Sequence, residues 1–287
     1  MSSVLAGVDG SEDSRTALRW AAVVADALQL PLRALWAWQY PTDALLTVGK
    51  IELPSPVRSD EIIEAQLSRL VEEVLGDKAA DVVLEVGRGP AAAALLGAAE
   101  NGPAMIVVGS RGMGGFKGLL LGSVSRQVAE HAPCPVTIVR HMAPIPPVRL
   151  ETIVAGTDGS RDAERGLRYA ADIAAKAGAE LVVAHATGPG EVVFPVGVPP
   201  QVDLDVRWER VEEWCAPLRA MGVDYEVAVV EGDTRTALLE LARDRSADLL
   251  VIGTRGHGPV GQLLLGSVAT SLAQHSELPV TIVPGER

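Results

Sequence analysis

Cysteine is nearly absent from the 287-residue chain, which carries only Cys134 and Cys215. They form no C-x-x-C motif, so the expectation is two free thiols in a reducing cytosol rather than a disulfide framework. Positive charge is also in short supply: 25 Lys and Arg stand against 37 Asp and Glu, a net charge of −12. That balance repels phosphate backbones and anionic membrane surfaces, so nucleic acid is not expected as a general partner. No run of 18 or more apolar residues occurs, because charges such as Asp26 and Arg33 interrupt the richest stretch, and no membrane insertion is expected. The opening MSSVLAGVDG lacks a basic segment followed by an apolar one, so no signal peptide is expected and the location read from the sequence is cytoplasmic. What is present is 48% hydrophobic and 22% charged residues, over a length suited to about two domains with real cores.

The most unusual stretch is Gly109–Val124, GSRGMGGFKGLLLGSV, with six glycines in sixteen residues directly after the apolar run Met105–Val108. Glycine loses more backbone freedom on folding than any other residue, so such a cluster implies a geometric requirement. The stretch recurs as Gly253–Val268, GTRGHGPVGQLLLGSV. Val8-Asp9-Gly10-Ser11 likewise recurs as Thr157-Asp158-Gly159-Ser160, and both halves close on the same PVTIV, at Pro135–Val139 and Pro279–Val283. A repeat this long marks a duplicated domain rather than a solenoid. The domains are read as residues 1–140 and 150–287. The proline-rich segment between them (three prolines in Pro144–Pro147) reads as a stiff, extended linker.

Within each half, short apolar runs alternate with longer segments of helical periodicity. The first half predicts strands at Val4–Val8, Leu32–Trp38, Asp81–Val86, Met105–Val108 and Val136–Val139. Helices are expected over Asp13–Leu28, around Ser59–Leu75, from Ala91 and from Ser123. The second half predicts strands at Thr152–Thr157, Leu181–Ala186, Val223–Val230, Leu249–Ile252 and Val280–Val283. Such alternation predicts an α/β fold of two tandem doubly wound domains, each a parallel sheet with helices on both faces.

Ligands of open α/β sheets bind beyond the carboxyl ends of the strands. Asp-Gly-Ser follows the first strand, and the glycine loop leaves the fourth and ends at Gly122-Ser123, where a helix is expected to start. A helix N-terminus offers unpaired N–H groups and partial positive charge, and glycine lets backbone approach a phosphate without an intervening Cβ. Ser123 and Ser267 are placed to cap their helices or to donate a hydroxyl to a phosphate. The loop reads as a phosphate cradle with the spacing G-x2-G-x9-G-S in both halves. It is not a Walker A loop, since no G-x4-G-K-[ST] occurs.

This glycine spacing after strand four, the aspartate after strand one and the final PVTIV together resemble the universal stress protein family, over nearly the whole chain. The resemblance implies a five-stranded parallel sheet of order 3-2-1-4-5 in each domain and the family's ATP-binding branch, whose members act as nucleotide-binding regulators under stress. It implies that Gly112, Gly122, Ser123 and Val124 meet phosphates, with Gly109 and Val108 near the ribose and adenine. The matching positions of the second half are Gly256, Gly266, Ser267 and Val268, with Gly253 and Ile252. Asp9 and Asp158 match the strand-one aspartate, and Ala37 and Ala186 the position that lines the adenine. Mg²⁺ is expected to accompany the triphosphate. The family's habit implies a homodimer, and a regulatory protein partner of unknown identity. Two further readings of the same residues are a slow ATPase and a partner-binding module that acts without nucleotide.

Other residues carry expectations of their own. Strand alternation turns Trp36 and Trp38 away from the face of Ala37 and leaves the first pocket open. Arg111 and Arg255 read equally as phosphate partners or as solvated loop charges, while Lys117, without a counterpart, reads as surface. Pro259 in place of Gly115 is expected to stiffen the second loop. His131 and His275 end matching helices, favourable to the helix dipole, with no second ligand at metal spacing. Leu119–Leu121 and Leu263–Leu265 read as core or lid packing. Val136–Val139 and Val280–Val283 read as edge strands that pair with one another within the chain or across two chains.

Overall fold

The computed structural model describes residues 2–40, 56–113, 120–141, 149–188, 204–256 and 265–285. The chain divides into two compact units, Met1–Ile145 and Pro146–Arg287.

The first unit runs β1 (Val4–Val8), α1 (Glu12–Leu28), β2 (Leu32–Trp38), α2 (Pro56–Leu75), a 3₁₀ segment Gly76–Asp81, β3 (Val83–Arg88), α3 (Ala91–Ala99), β4 (Met105–Gly109), α4 (Ser123–His131) and β5 (Val136–Val139). Its strands are parallel and lie in the order β3-β2-β1-β4-β5. The second unit runs β6 (Thr152–Gly156), α5 (Arg161–Ala177), β7 (Glu180–Thr187), α6 (Leu204–Trp214), α7 (Ala216–Met221), β8 (Glu226–Glu231), α8 (Thr234–Asp244), β9 (Leu249–Gly253), α9 (Ser267–His275) and β10 (Val280–Val283). Its order, β8-β7-β6-β9-β10, is the same topology. In both units the order is the expected 3-2-1-4-5. The order reverses beside the first strand of each unit, which opens a crevice at the carboxyl ends of β1 and β4, and of β6 and β9.

Burial on both faces explains why the central strands read as continuous apolar runs rather than alternating ones. Val4, Leu5 and Ala6 of β1 and all five residues of β4 are buried, as are Ile153, Val154 and Ala155 of β6. In the first unit α1 packs with α2 on one face, and α3 packs with α4 on the other; α5 with α7, and α8 with α9, do the same in the second. The sheet-facing stripe of α1 is Ala17, Leu18, Ala21, Val24 and Ala25, and that of α5 is Leu167, Ala170, Ala171 and Ala174. These small side chains let each helix lie close to its sheet. Among the described residues no helix is long and apolar enough to cross a membrane.

Two strands start two or three residues later than the sequence reading places them, and other strand ends differ by one or two. The third strand starts at Val83 rather than Asp81, because Gly76–Asp81 closes a 3₁₀ segment with Val82 N–H donating to Ala79 O. Its counterpart starts at Glu226 rather than Val223, because α7 ends in left-handed Gly222 and Val223 N–H returns to Leu218 O. The linker residues 142–148 lie outside the described residues.

Both cysteines are free and buried. Loss of solvent from the thiolate pushes Cys134 up to about 11 and Cys215 to about 12, the latter helped by the nearby Glu212 carboxylate. Since the thiolate is the nucleophile, both sulfurs are expected to resist iodoacetamide in the native chain at pH 7.5. Full labelling of two thiols is expected only in denaturant, as read by intact mass.

Candidate functional site

The Asp-Gly-Ser turn is built around its carboxylate. Asp9 Oδ1 accepts from Ser11 N–H at 3.0 Å and from Ser11 Oγ at 2.6 Å, which closes an Asx turn. Gly10 holds φ +86°, where a side chain is strained, and Ser11 then caps α1 by accepting from Ser14 N–H. The second oxygen, Oδ2, accepts from the Met113 N–H of the glycine loop at 2.9 Å. Asp158 repeats the turn through Ser160 N–H at 3.0 Å, with Gly159 at φ +77° and Ser160 capping α5. Asp9 and Asp158 are therefore turn residues, and at the same time they border the cavities described below.

The motif glycines answer three different steric demands. A Cβ on Gly109 would meet the backbone of Asp13 and Ser14 at 2.7 to 2.8 Å, and one on Gly253 would meet Asp162 and Ala163 at 2.5 to 2.8 Å. The end of the fourth strand thus presses against the first turn of the helix behind it. Gly112 and Gly256 instead touch the carboxylates of Asp9 and Asp158. Gly122 and Gly266 lie over the loop's own base: their N–H groups donate to Ser110 O at 2.7 Å and Thr254 O at 2.8 Å, where a Cβ would sit 3.2 and 3.0 Å from the same oxygens.

Gly122 and Gly266 are also the N-caps of α4 and α9, and neither supplies a side-chain acceptor. Ser123 and Ser267 stand one residue inside the helix, so the expectation that they cap it is corrected: a hydroxyl there is beyond the cap position. The first intrahelical bond runs from Arg126 N–H to Gly122 O, and from Thr270 N–H to Gly266 O. The N–H groups before these, from Ser123 to Ser125 and from Ser267 to Ala269, open on the cavity side of the helix, the arrangement that binds anions.

A carboxylate that the sequence reading passed over anchors each loop. Asp13, only 5% exposed, accepts from Ser110 Oγ at 2.5 Å, Arg111 N–H at 3.0 Å, His141 N–H at 3.2 Å and His141 Nδ1 at 2.7 Å. Asp162 accepts from Thr254 Oγ1 at 2.8 Å and Arg255 Nε at 3.3 Å. The Arg111 side chain likewise approaches Asp13, at 3.8 Å. Both arginines therefore have a carboxylate partner, Asp13 or Asp162, and both also line their cavities. The signal was legible as D-G-S-x-D in both halves, with a hydroxyl residue immediately after each strand-four glycine.

These parts enclose one cavity per unit, of about 490 Å³ in the first and about 570 Å³ in the second. Asp9, Ala37, Val108, Gly109, Gly112, Gly122, Ser123 and Val124 all line the first. Asp158, Ala186, Ile252, Gly253, Gly256, Gly266, Ser267 and Val268 line the second. Each cavity has an apolar end, built from Leu35, Ala37, Leu95 and Val108 or from Ala184, Ala186, Leu238 and Ile252, and a polar end under the open helix turn. Both volumes lie in the roughly 300–1,000 Å³ range of small-molecule sites.

Neither first-unit indole enters the cavity. Trp36 packs over Gly10, where a Cβ would lie 3.2 Å from its ring, and Trp38 Nε1 donates to Asp60 at 2.8 Å. Asp60 also binds Arg88, whose hydrogen bond holds its carboxyl below the usual range. In the second unit His185 replaces Trp36, with Nδ1 2.9 Å from Thr157 O, and its ring meets Trp214 edge-on at 5.1 Å while Trp214 covers Gly159. His131 and His275 each turn Nδ1 to the carbonyl four residues back, at 2.9 Å. Leu121 and Leu265 are buried and Leu120 is exposed. Lys117, Pro259, Leu119, Leu263 and Leu264 lie outside the described residues.

Two outcomes are expected from this geometry. Gly109→Ala meets backbone and costs roughly 2–3 kcal/mol, whereas Gly112→Ala meets the Asp9 side chain, which can yield at the loss of its Met113 hydrogen bond, and costs roughly 1–2 kcal/mol, in denaturant unfolding. Asp13→Ala strands several donors in a buried place and is expected to lower stability by about 2–4 kcal/mol, while Asp13→Asn, which keeps an acceptor, loses less.

Comparison with known proteins agrees with this architecture. The model of the universal stress protein family matches residues 1–140 and again 149–284. A universal stress protein of Mycobacterium tuberculosis is 30% identical over 288 residues, covering 97% of this chain and 96% of the relative. Another, from Mycolicibacterium smegmatis, is 29% identical over 301 residues, covering 98% and 96%. The crystal structure of a universal stress protein from Archaeoglobus fulgidus superposes with a TM-score of 0.63 at 25% identity, covering 98% of both chains. The chain belongs to the universal stress protein family, as a tandem pair of the family's domains.

Proposed function

We propose that each unit holds one adenine nucleotide, and that the chain is a stress-response regulator whose surface changes with nucleotide occupancy. The observation that carries this reading is the open first turn of α4 and α9, each aimed into a cavity whose opposite end is apolar. Phosphates would accept from the N–H groups of Ser123–Ser125 and Ser267–Ala269, with the Ser123 and Ser267 hydroxyls within the same turn. Adenine would lie between the apolar walls, beside Ala37 and Val108 or Ala186 and Ile252. ATP is the expected form, and Mg²⁺ would ride on its phosphates. Among the described residues no group of His, Cys, Asp or Glu could hold a metal ion by itself.

The carboxylates favour a binding protein over an ATPase. Asp9 gives both oxygens to Ser11 and Met113, and Asp13 gives both to the loop and His141, so neither is a free base poised beside a γ-phosphate. Any hydrolysis is expected to be slow. Family membership supports the stress-response role, and the proposed switch would act through whichever protein reads the glycine-loop face, with a homodimer as the working unit.

The test is to denature freshly purified protein and identify released nucleotide by mass, counted per chain. About two adenine nucleotides per chain, or two acquired on soaking with Mg-ATP, is the expected result. None after soaking would remove the nucleotide reading and favour a partner-binding module.

A further inference from the structure

The two cavities differ at matched positions, and on the nucleotide reading above those differences sort ligands by charge. The first residue of the helix after the Asp-Gly-Ser turn is Glu12 in the first unit and Arg161 in the second. Arg161 lines the second cavity, and among the described residues it has no ion pair. The Glu12 side chain is 79% exposed, with only a 4.0 Å approach to Arg15. Among the described residues the other cation lining each cavity is engaged, Arg111 with Asp13 at 3.8 Å and Arg255 with Asp162 at 3.3 Å. Among the described residues a guanidinium without an ion pair thus borders the second cavity, and the matched position of the first unit carries Glu12, which does not line that unit's cavity. The reversed pair one turn along does not cancel this difference. Arg15 is held by Glu73 at 2.8 Å and Glu164 by Arg168 at 2.9 Å, and neither lines a cavity.

The walls follow the same trend. Thr157 and Thr234 line the second cavity where Val8 or Ala91 lines the first, and Ala184 stands in place of Leu35. Among the described lining residues the second cavity is therefore roomier and more polar, with one more cation, Arg161, and one more carboxylate, Asp162, whose oxygen is taken up by Thr254 and Arg255.

We infer that the second unit is the polyphosphate site, selecting nucleoside triphosphates over monophosphates, and that the first unit takes adenine nucleotides with little regard to phosphate number. The helix N-terminus is common to both and accounts for a first phosphate. Each further phosphate adds negative charge at the mouth, where the planar Arg161 guanidinium would bind it through paired N–H donors that the first unit does not offer at the matched position.

Hydrogen exchange on the whole chain reads each unit separately, through peptides from β4 and α4 and from β9 and α9. AMP, ADP and ATP are titrated with Mg²⁺ in excess, and the midpoint of protection is taken for each unit. The preference for ATP over AMP is expected to be about fivefold greater in the second unit, the scale of an exposed charge pair. Arg161→Glu is expected to remove that excess, with Arg161→Gln between, while the first unit's midpoints stay where they were. Equal preferences in the two units, or an excess that survives Arg161→Glu, would overturn the inference. A chain that no adenine nucleotide protects in either unit overturns the nucleotide reading itself, which is a separate result from equal protection in both.

Discussion

A carboxylate on the first helical turn after strand one, buried in the first unit and largely covered in the second, is the constraint on which each site depends. Desolvating a carboxylate is costly unless its oxygens are hydrogen-bonded. In the first unit Asp13 meets that condition only when Ser110 and Arg111, the opening residues of the glycine loop, are beside it. The same holds for Asp162 with Thr254 and Arg255. Because each loop is fixed at its root, Gly122 and Gly266 can fold back onto the carbonyls of Ser110 and Thr254 and start a helix there. The direction of the open helix turn, and so the end of the cavity proposed to take phosphate, follows from a side chain outside the glycine motif.

The glycine motif has the chemistry of a phosphate cradle, yet its glycines are explained first by the protein itself. One clears the helix behind the sheet, one clears an aspartate, and one clears the loop's own base. This explains why the spacing is identical in two copies whose intervening residues differ. The result also changes how Asp9 and Asp158 are understood. Asp9 ties its turn to the glycine loop through Met113 N–H, and both Asp9 and Asp158 border a cavity.

The two units solve shared packing problems with different residues. The glycine of each Asp-Gly-Ser turn is covered by an indole, taken from β2 as Trp36 in one unit and from α6 as Trp214 in the other. The first unit pairs Ala37 with Gly87, which Leu35 also approaches, while the second pairs Ala186 with Val230 and has Ala184 in place of Leu35, so bulk moves from one strand to its neighbour. His141 donates to Asp13, where the second unit places Gly285 against Asp162. The backbone scheme is held in common, and the lining of each cavity is left to differ in size and charge.

The sixteen residues that the family resemblance implies all line the two cavities; the duplication, the α/β class and the parallel strand pattern are legible in the residues themselves. Those features are local or periodic: apolar runs buried on both faces, glycine spacing, and turn residues at strand ends. Boundaries set by capping were read less well, since the 3₁₀ segment before β3 and left-handed Gly222 before β8 shorten strands that apolar patterning alone extends. Only the tertiary structure decided what each glycine clears, that Ser123 and Ser267 stand inside the helix, and that Arg111 and Arg255 turn to Asp13 and Asp162. Those pairings join residues about a hundred positions apart, across β-α-β crossovers that bring two loops to one end of the sheet. Sequence spacing cannot report a contact of that kind, because the approach is set by strand order and by helix packing against the sheet.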